Sequence, residues 1–257
     1  MAWVLDLDGV IWLAHHPIDG AADAVARLRA AGERVLFVTN FSALTVAEAE
    51  GKLADVGIDA TGDVVTSSMA AATLVEPGER VLVAGGPGVV EAVQRRGAEV
   101  VGPDVPSDEI DAVVVGFHRE FDFARVTRAA RALHAGARLV ATNDDPTYPT
   151  PEGLEPGNGA LLACIATAGK TAPTVAGKPY APVAALVHDI LGDPPEGGQH
   201  TMVGDLPATD GMLGRRLGYR FALVLSGVTS AEQVPHVDPS PDVVADSLAA
   251  LVAAEFD

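Results

Sequence analysis

Two carboxylates, Asp6 and Asp8, stand at i and i+2 directly after the apolar pair Val4-Leu5, and Gly9 follows them. Side chains alternate along a strand, so both acids project to the same side. Buried like charges this close cost several kcal/mol unless a cation sits between them, which points to a divalent metal. Taken alone, the pair serves equally well as a strand ending in a solvated acidic turn. Gly9 lets the chain turn sharply away.

Three more predicted strand ends carry polar groups. Phe37-Val38 runs into Thr39-Asn40-Phe41-Ser42. Small donors there suit phosphate oxygens in a doubly wound sheet, and equally suit the N-cap of the next helix. Val175-Ala176-Gly177-Lys178-Pro179 sets a lysine behind a strand and a glycine. Such a lysine neutralises charge on a transferring phosphoryl group, or is an ordinary surface residue. In Met202-Val203-Gly204-Asp205-Leu206-Pro207-Ala208-Thr209-Asp210 a strand again ends in an acid, with a second acid five positions on. Asp205 would complete the oxygen shell of a metal held by Asp6 and Asp8. Hard Mg²⁺ prefers such oxygens, and none of the 7 histidines has zinc spacing. Each signal is weak by itself. In sequence order they are Asp-x-Asp, Thr, Lys and Asp, and ligands in such sheets bind beyond the carboxyl ends of the strands, so the four sets would converge on one crevice.

The elements that must position these residues alternate along the chain. Strands are predicted at Val4-Leu5, Arg34–Val38, Val81–Ala84, Ala112–Val115, Arg138–Ala141, His200–Val203 and Tyr219–Leu225. Helices are predicted at Ala21–Ala31, Val46–Val56, from about Val89, Phe123–Ala135 and near Ser247–Ala254. This order implies a Rossmann-like, doubly wound parallel sheet, with a second α/β unit inserted. The core would comprise residues 1–70 and 178–257, and the insert residues 71–177. Gly85-Gly86-Pro87-Gly88 lacks dinucleotide-binding spacing and reads as a plain strand-to-helix turn.

The 257 residues are 48% hydrophobic and 20% charged, enough for a sizeable core. A net charge of -18 argues against nucleic acid or an anionic membrane as partner. An anionic substrate can still bind where a metal, a helix N-terminus or a buried lysine reverses the local field. The single cysteine, Cys164, excludes an intramolecular disulfide and in its apolar run reads as a small buried hydrophobe. No apolar stretch approaches the roughly 20 residues that span a bilayer, and the N-terminus has no signal-peptide pattern; a cytoplasmic protein is expected.

Asp6-x-Asp8-Gly9-Val10, Thr39-Asn40-x-Ser42, Gly177-Lys178-Pro179 and Gly204-Asp205-x-x-x-Thr209-Asp210 resemble, in order, the four motifs of the haloacid dehalogenase superfamily. The likeness is to its class IIA, the NagD-like or p-nitrophenyl phosphatase-like branch. Val115-Gly116-Phe117, Ala141-Thr142-Asn143-x-Asp145 and Pro156-Gly157-x-Gly159-Ala160 resemble that class's inserted α/β cap, of C2A type, and Leu225-Ser226-Gly227-Val228-Thr229 its closing strand. The resemblance implies that Asp6 attacks phosphorus to form an aspartyl-phosphate and that Asp8 is acid and then base. It implies that Thr39, Asn40 and Ser42 surround the phosphate and that Lys178 offsets its charge. Mg²⁺ would be bound by Asp6, the Asp8 carbonyl and Asp205, with Asp210 orienting from behind.

Phe117, Arg119, Asp145 and Tyr148 fall at cap positions implied to select the substrate, a small phosphorylated metabolite. Some relatives that hydrolyse pyridoxal phosphate have an acid at the position of Arg119 and a histidine at that of Tyr148, which argues against that substrate. Arg119 would instead favour a leaving group with a second negative charge. Phe41, Ala43 and Leu206 also depart from residues common in the class. The resemblance further implies a homodimer through the cap. Two rivals remain at this level: a phosphotransferase of the same fold, and a catalytically silent phosphometabolite-binding protein.

Overall fold

The computed structural model describes residues 1–14, 16–150 and 153–256, which form two compact α/β units. The first unit comprises Met1–Thr39, Ala49–Val65 and Ala184–Asp257. Its six-stranded sheet runs in the order Val243–Ala245, Arg220–Val224, Thr201–Gly204, Ala2–Leu5, Arg34–Thr39, Val64–Thr66. Ala2–Leu5 is central, and its Leu5 lies opposite both Val203 and Phe37 in parallel register. Strands buried on both faces read as continuous apolar runs, and Ala2–Leu5 is buried throughout.

Helix Ala21–Ala30 shows why the covering helices form where they do. Ala21, Ala24, Val25 and Leu28 recur at helical spacing and are its buried face. Asp23 lies in the first turn, and Arg27 and Arg29 in the last, which complements the helix dipole. Gly32 follows in the left-handed region at φ 79°, as helix ends favour. This face packs with Trp3, Leu5, Phe37 and Val203 of the sheet and with Leu248, Leu251 and Val252 of the C-terminal helix Leu248–Phe256.

The second unit comprises Asn40–Glu48 and Thr66–Val183. Its five-stranded sheet runs Thr174–Val175, Arg138–Ala141, Ala112–Val115, Arg80–Ala84, Glu99–Val100, all pairs parallel. Val113, Val115, Leu139 and Ala141 pack with Ala129, Ala132 and Leu133 of helix Phe123–His134 and with Leu162 and Ile165 of helix Asn158–Gly169. The Asp122 carboxylate caps the former helix by accepting from the Arg125 amide at 2.7 Å. The glycine-rich turn after Arg80–Ala84 leads into helix Pro87–Arg95.

One motif loop is grouped with the second unit by its contacts. Residues 40–48 belong with the second unit because they are hydrogen-bonded into it. The Phe117 amide donates to Ser42 Oγ at 2.9 Å, the Gly88 amide to the Ala43 carbonyl at 2.9 Å, and the Val46 amide to Glu91 at 2.9 Å. Cys164 is a correction: it is exposed, because its helix buries the face formed by Leu162, Ile165 and Gly169. Strands Val64–Thr66 and Val243–Ala245, helix Ala181–Leu191 and the hairpin Thr147–Thr150 with Gly153–Pro156 are additions to the predicted elements. Among the described residues no helix is long and apolar enough to cross a membrane.

Candidate active site

In the first unit, neighbouring parallel strands bring their carboxyl ends to one edge. Asp6 follows Ala2–Leu5 and Asp205 follows Thr201–Gly204, while Thr39 ends Arg34–Thr39. One carboxylate oxygen from each of Asp6, Asp205 and Asp210 lies within 4.8 Å of the others. Asp205 and Asp210 are buried, and Asp6 is 9% exposed. Each carboxylate is fixed by a backbone amide: Leu7 to Asp6 Oδ1 at 2.7 Å, Val228 to Asp205 Oδ2 at 2.6 Å, and Leu206 to Asp210 Oδ2 at 3.1 Å. Three hard oxygen donors converging in a region that excludes water suit a hard divalent cation, whose charge would offset their mutual repulsion. Asp210, expected to orient from behind, contributes an oxygen to the same group.

Asp8 is exposed. Its Oδ1 accepts from the Trp12 indole Nε1 at 3.1 Å, because the Gly9 amide bonds back to the Trp12 carbonyl at 2.6 Å. That turn needs φ 80° at Gly9, a conformation most side chains disfavour. Ser226 closes over it, donating to the Gly9 carbonyl at 2.7 Å. Thr229 Oγ1 donates to the Asp205 backbone carbonyl at 2.5 Å.

In the second unit, Asn40 ties together several of the predicted residues. Its Oδ1 accepts from the Lys178 amide at 2.7 Å, and its Nδ2 donates to Asp145 Oδ2 at 2.9 Å and to the Lys178 carbonyl at 3.1 Å. Ser67 Oγ and Asn143 Nδ2 both donate to the Asn40 carbonyl, at 2.6 and 2.7 Å. Lys178 and Ser42 are buried. Phe117 lies against Phe41 with ring centroids 5.6 Å apart and meets Tyr148 edge-on at 5.1 Å. Burial, then a hydrogen bond to Glu155, pushes the Tyr148 hydroxyl pKa up. Tyr180, two residues after Lys178, donates to Asp144, and that bond together with burial raises its pKa to about 12.

A model of the haloacid dehalogenase-like hydrolases matches residues 3–99, and one described as HAD-hydrolase-like matches residues 175–251. The chain is 32% identical over 244 residues to an acid sugar phosphatase of Staphylococcus aureus, covering 93% of this chain and 92% of that protein. The chain belongs to the haloacid dehalogenase-like hydrolases. It is also 37% identical over 241 residues to a D-glycerol 3-phosphate phosphatase of Mycobacterium tuberculosis, covering 92% of this chain and 66% of that protein. The crystal structure of a glycerol phosphate phosphatase from Mycobacterium tuberculosis in complex with magnesium superposes with a TM-score of 0.86 at 34% identity, covering 97% of this chain and 75% of that one.

In this hydrolase the motif acids were visible from spacing, but their supports were not. Ser226, Val228 and Thr229 act on Gly9 and Asp205 from other parts of the chain, and Trp12 acts on Asp8 from within the same turn. Leu225-Ser226-Gly227-Val228-Thr229 was the available signal: a polar, glycine-containing run directly after a strand. Glu155 had no sequence signal, since only the pairing of its hairpin sets it opposite Tyr148.

Proposed function

We propose that the chain is a magnesium-dependent phosphatase that hydrolyses small phosphomonoesters through an aspartyl-phosphate on Asp6. The observation that carries this reading is the group of Asp6, Asp205 and Asp210 oxygens within 4.8 Å at one sheet edge, together with Asp8 two residues beyond Asp6. That relatives 32% and 37% identical over more than nine-tenths of this chain are phosphatases, and that a glycerol phosphate phosphatase of similar structure was crystallised with magnesium, supports it.

An Asp6 carboxylate oxygen attacks phosphorus, and the leaving alcohol departs with a proton from Asp8. In the second half Asp8 takes a proton from water as that water attacks phosphorus, returning the Asp6 carboxylate and inorganic phosphate. The indole bond from Trp12 fixes the rotation of the Asp8 carboxyl for both transfers. Thr39, the Asn40 backbone and Ser42 serve the phosphoryl group, and Lys178 offsets its charge. Asp6, the Asp8 carbonyl, Asp205 and Asp210 would hold Mg²⁺, which when bound would supply positive charge to offset the carboxylates and the charge on the phosphoryl group. The second unit acts as the cap that chooses the leaving group. A cytoplasmic homodimer formed through the second unit completes the reading, supported by exposed Ala160, Ala163 and Cys164 on one helix.

The test is hydrolysis of p-nitrophenyl phosphate with Mg²⁺, with EDTA, and by Asp6→Asn. Metal-dependent release of nitrophenol that falls at least ~1,000-fold in the variant is expected. Turnover that persists in Asp6→Asn would refute the nucleophile, and phosphate passing to added alcohols but not to water would favour the phosphotransferase.

A further inference from the structure

Strands Ala112–Val115, Arg138–Ala141 and Thr174–Val175 are parallel neighbours in the second unit, so their carboxyl ends share one edge. Phe117 and Arg119 follow the first strand, Asp144, Asp145 and Tyr148 the second, and Lys178 the third. Ligands of parallel sheets bind beyond such an edge. Here the Tyr148 hydroxyl bridges two opposite charges. Arg119 Nη2 donates to it at 2.8 Å, and it donates to Glu155 Oε2 at 2.5 Å. The guanidinium and the carboxylate are themselves 3.1 Å apart. Glu155 reaches this position because it is paired directly opposite Tyr148 in the antiparallel hairpin, where facing side chains meet.

We propose that Glu155 is a positioning residue that sets the charge of this edge: by matching Arg119 and holding the Tyr148 hydroxyl, it makes the edge select an uncharged alcohol or polyol as leaving group rather than a carboxylate-bearing one. The inference rests on the phosphatase reading above. It reverses the expectation from sequence, in which Arg119 receives a second negative charge. That role needs the guanidinium directed at substrate, whereas here it faces Glu155; of the other charged residues that follow these strands, Asp144 and Asp145 are negative and Lys178 positive. Arg119 is 68% exposed, so the pair contributes little to folding. Its consequence is the sign of the local field. Beside this pair, the rings of Phe117 and Tyr148 are held edge to face at 82°.

Glycerol 3-phosphate and 3-phosphoglycerate form a matched pair that differs by a carboxylate, and p-nitrophenyl phosphate reports the chemistry without either group. The wild type is expected to show the higher kcat/KM for glycerol 3-phosphate. Glu155→Gln keeps an acceptor for Tyr148 but removes the charge. It should shift the ratio toward 3-phosphoglycerate by about 3- to 10-fold, chiefly through KM. Combining it with Arg119→Gln should restore the original ratio, which loss of structure alone would not do. An unchanged ratio in Glu155→Gln would overturn the proposal, as would a wild-type preference for 3-phosphoglycerate that Arg119→Gln abolishes. If the wild type hydrolysed none of the three esters, the phosphatase reading itself would fall, and this inference with it.

Discussion

Asp205 is held from two directions by one short run of chain. The Val228 amide donates to its Oδ2, and the Thr229 hydroxyl to its backbone carbonyl. Gly227 passes so close that a Cβ there would overlap the Asp205 carboxylate. The close approach explains why glycine stands at 227 and ties the acid's orientation to a loop more than twenty residues away. Gly227→Ala should therefore weaken activation by Mg²⁺ by about 10- to 100-fold, the usual effect of disturbing groups that orient a ligand. Activity titrated against Mg²⁺ measures this, and an unchanged half-saturating concentration would show that the loop does not position Asp205.

Strand Ala2–Leu5 carries Asp6, and its first amide is fixed by the residue that precedes the neighbouring strand. The Ala2 amide donates to His200 Nδ1 at 3.0 Å, and the His200 ring meets Tyr219 edge-on at 5.0 Å. His200 is buried, and burial, opposed by the Gly192 backbone, pushes its pKa below the ordinary histidine value. The folded state therefore resists protonation that the unfolded chain accepts. The stabilisation is complete above the unfolded pKa of about 6.5 and is lost as pH falls toward the depressed folded value. From pH ~7 to ~5 the melting temperature should fall on this account. Substituting glutamine at 200, which keeps an acceptor for Ala2, should flatten that dependence in thermal melts. A slope as steep as wild type would place its origin in other groups.

Across the whole molecule, a cation held by the three carboxylates within 4.8 Å of one another would bind the folded chain in preference to the unfolded one, so binding and stability would be linked. Mg²⁺ at about 100 times its dissociation constant should stabilise the fold by about 2.7 kcal/mol, seen as a rise in melting temperature that EDTA reverses. Asp205→Asn keeps an acceptor for Val228 while removing one charge. It should melt higher than wild type without metal and lose most of the metal-dependent rise. Equal metal responses in the two proteins would rule out Asp205 as a ligand.

Much of this architecture was legible in the chain because it depends on local physics. Apolar runs broken by Gly and Asp marked the central strands, and helical spacing such as Ala21, Ala24, Val25 and Leu28 marked the covering helices. The four motif groups could be read because each sits just after an apolar run, where the strand ends and the residue type changes abruptly from apolar to polar. Strands such as Val64–Thr66 and Val243–Ala245 escaped notice because three residues carry too little periodicity, and only pairing with a neighbour makes them strands. Long-range geometry decided the rest. The supports of Asp205 and the meeting of Glu155 with Arg119 join residues more than twenty positions apart, whose contact no local pattern encodes. Sequence by itself determined which acids stand ready for chemistry. Only the tertiary structure decided what holds them and that Glu155 meets Tyr148 and Arg119, because register and packing, rather than residue type, choose each side chain's neighbour.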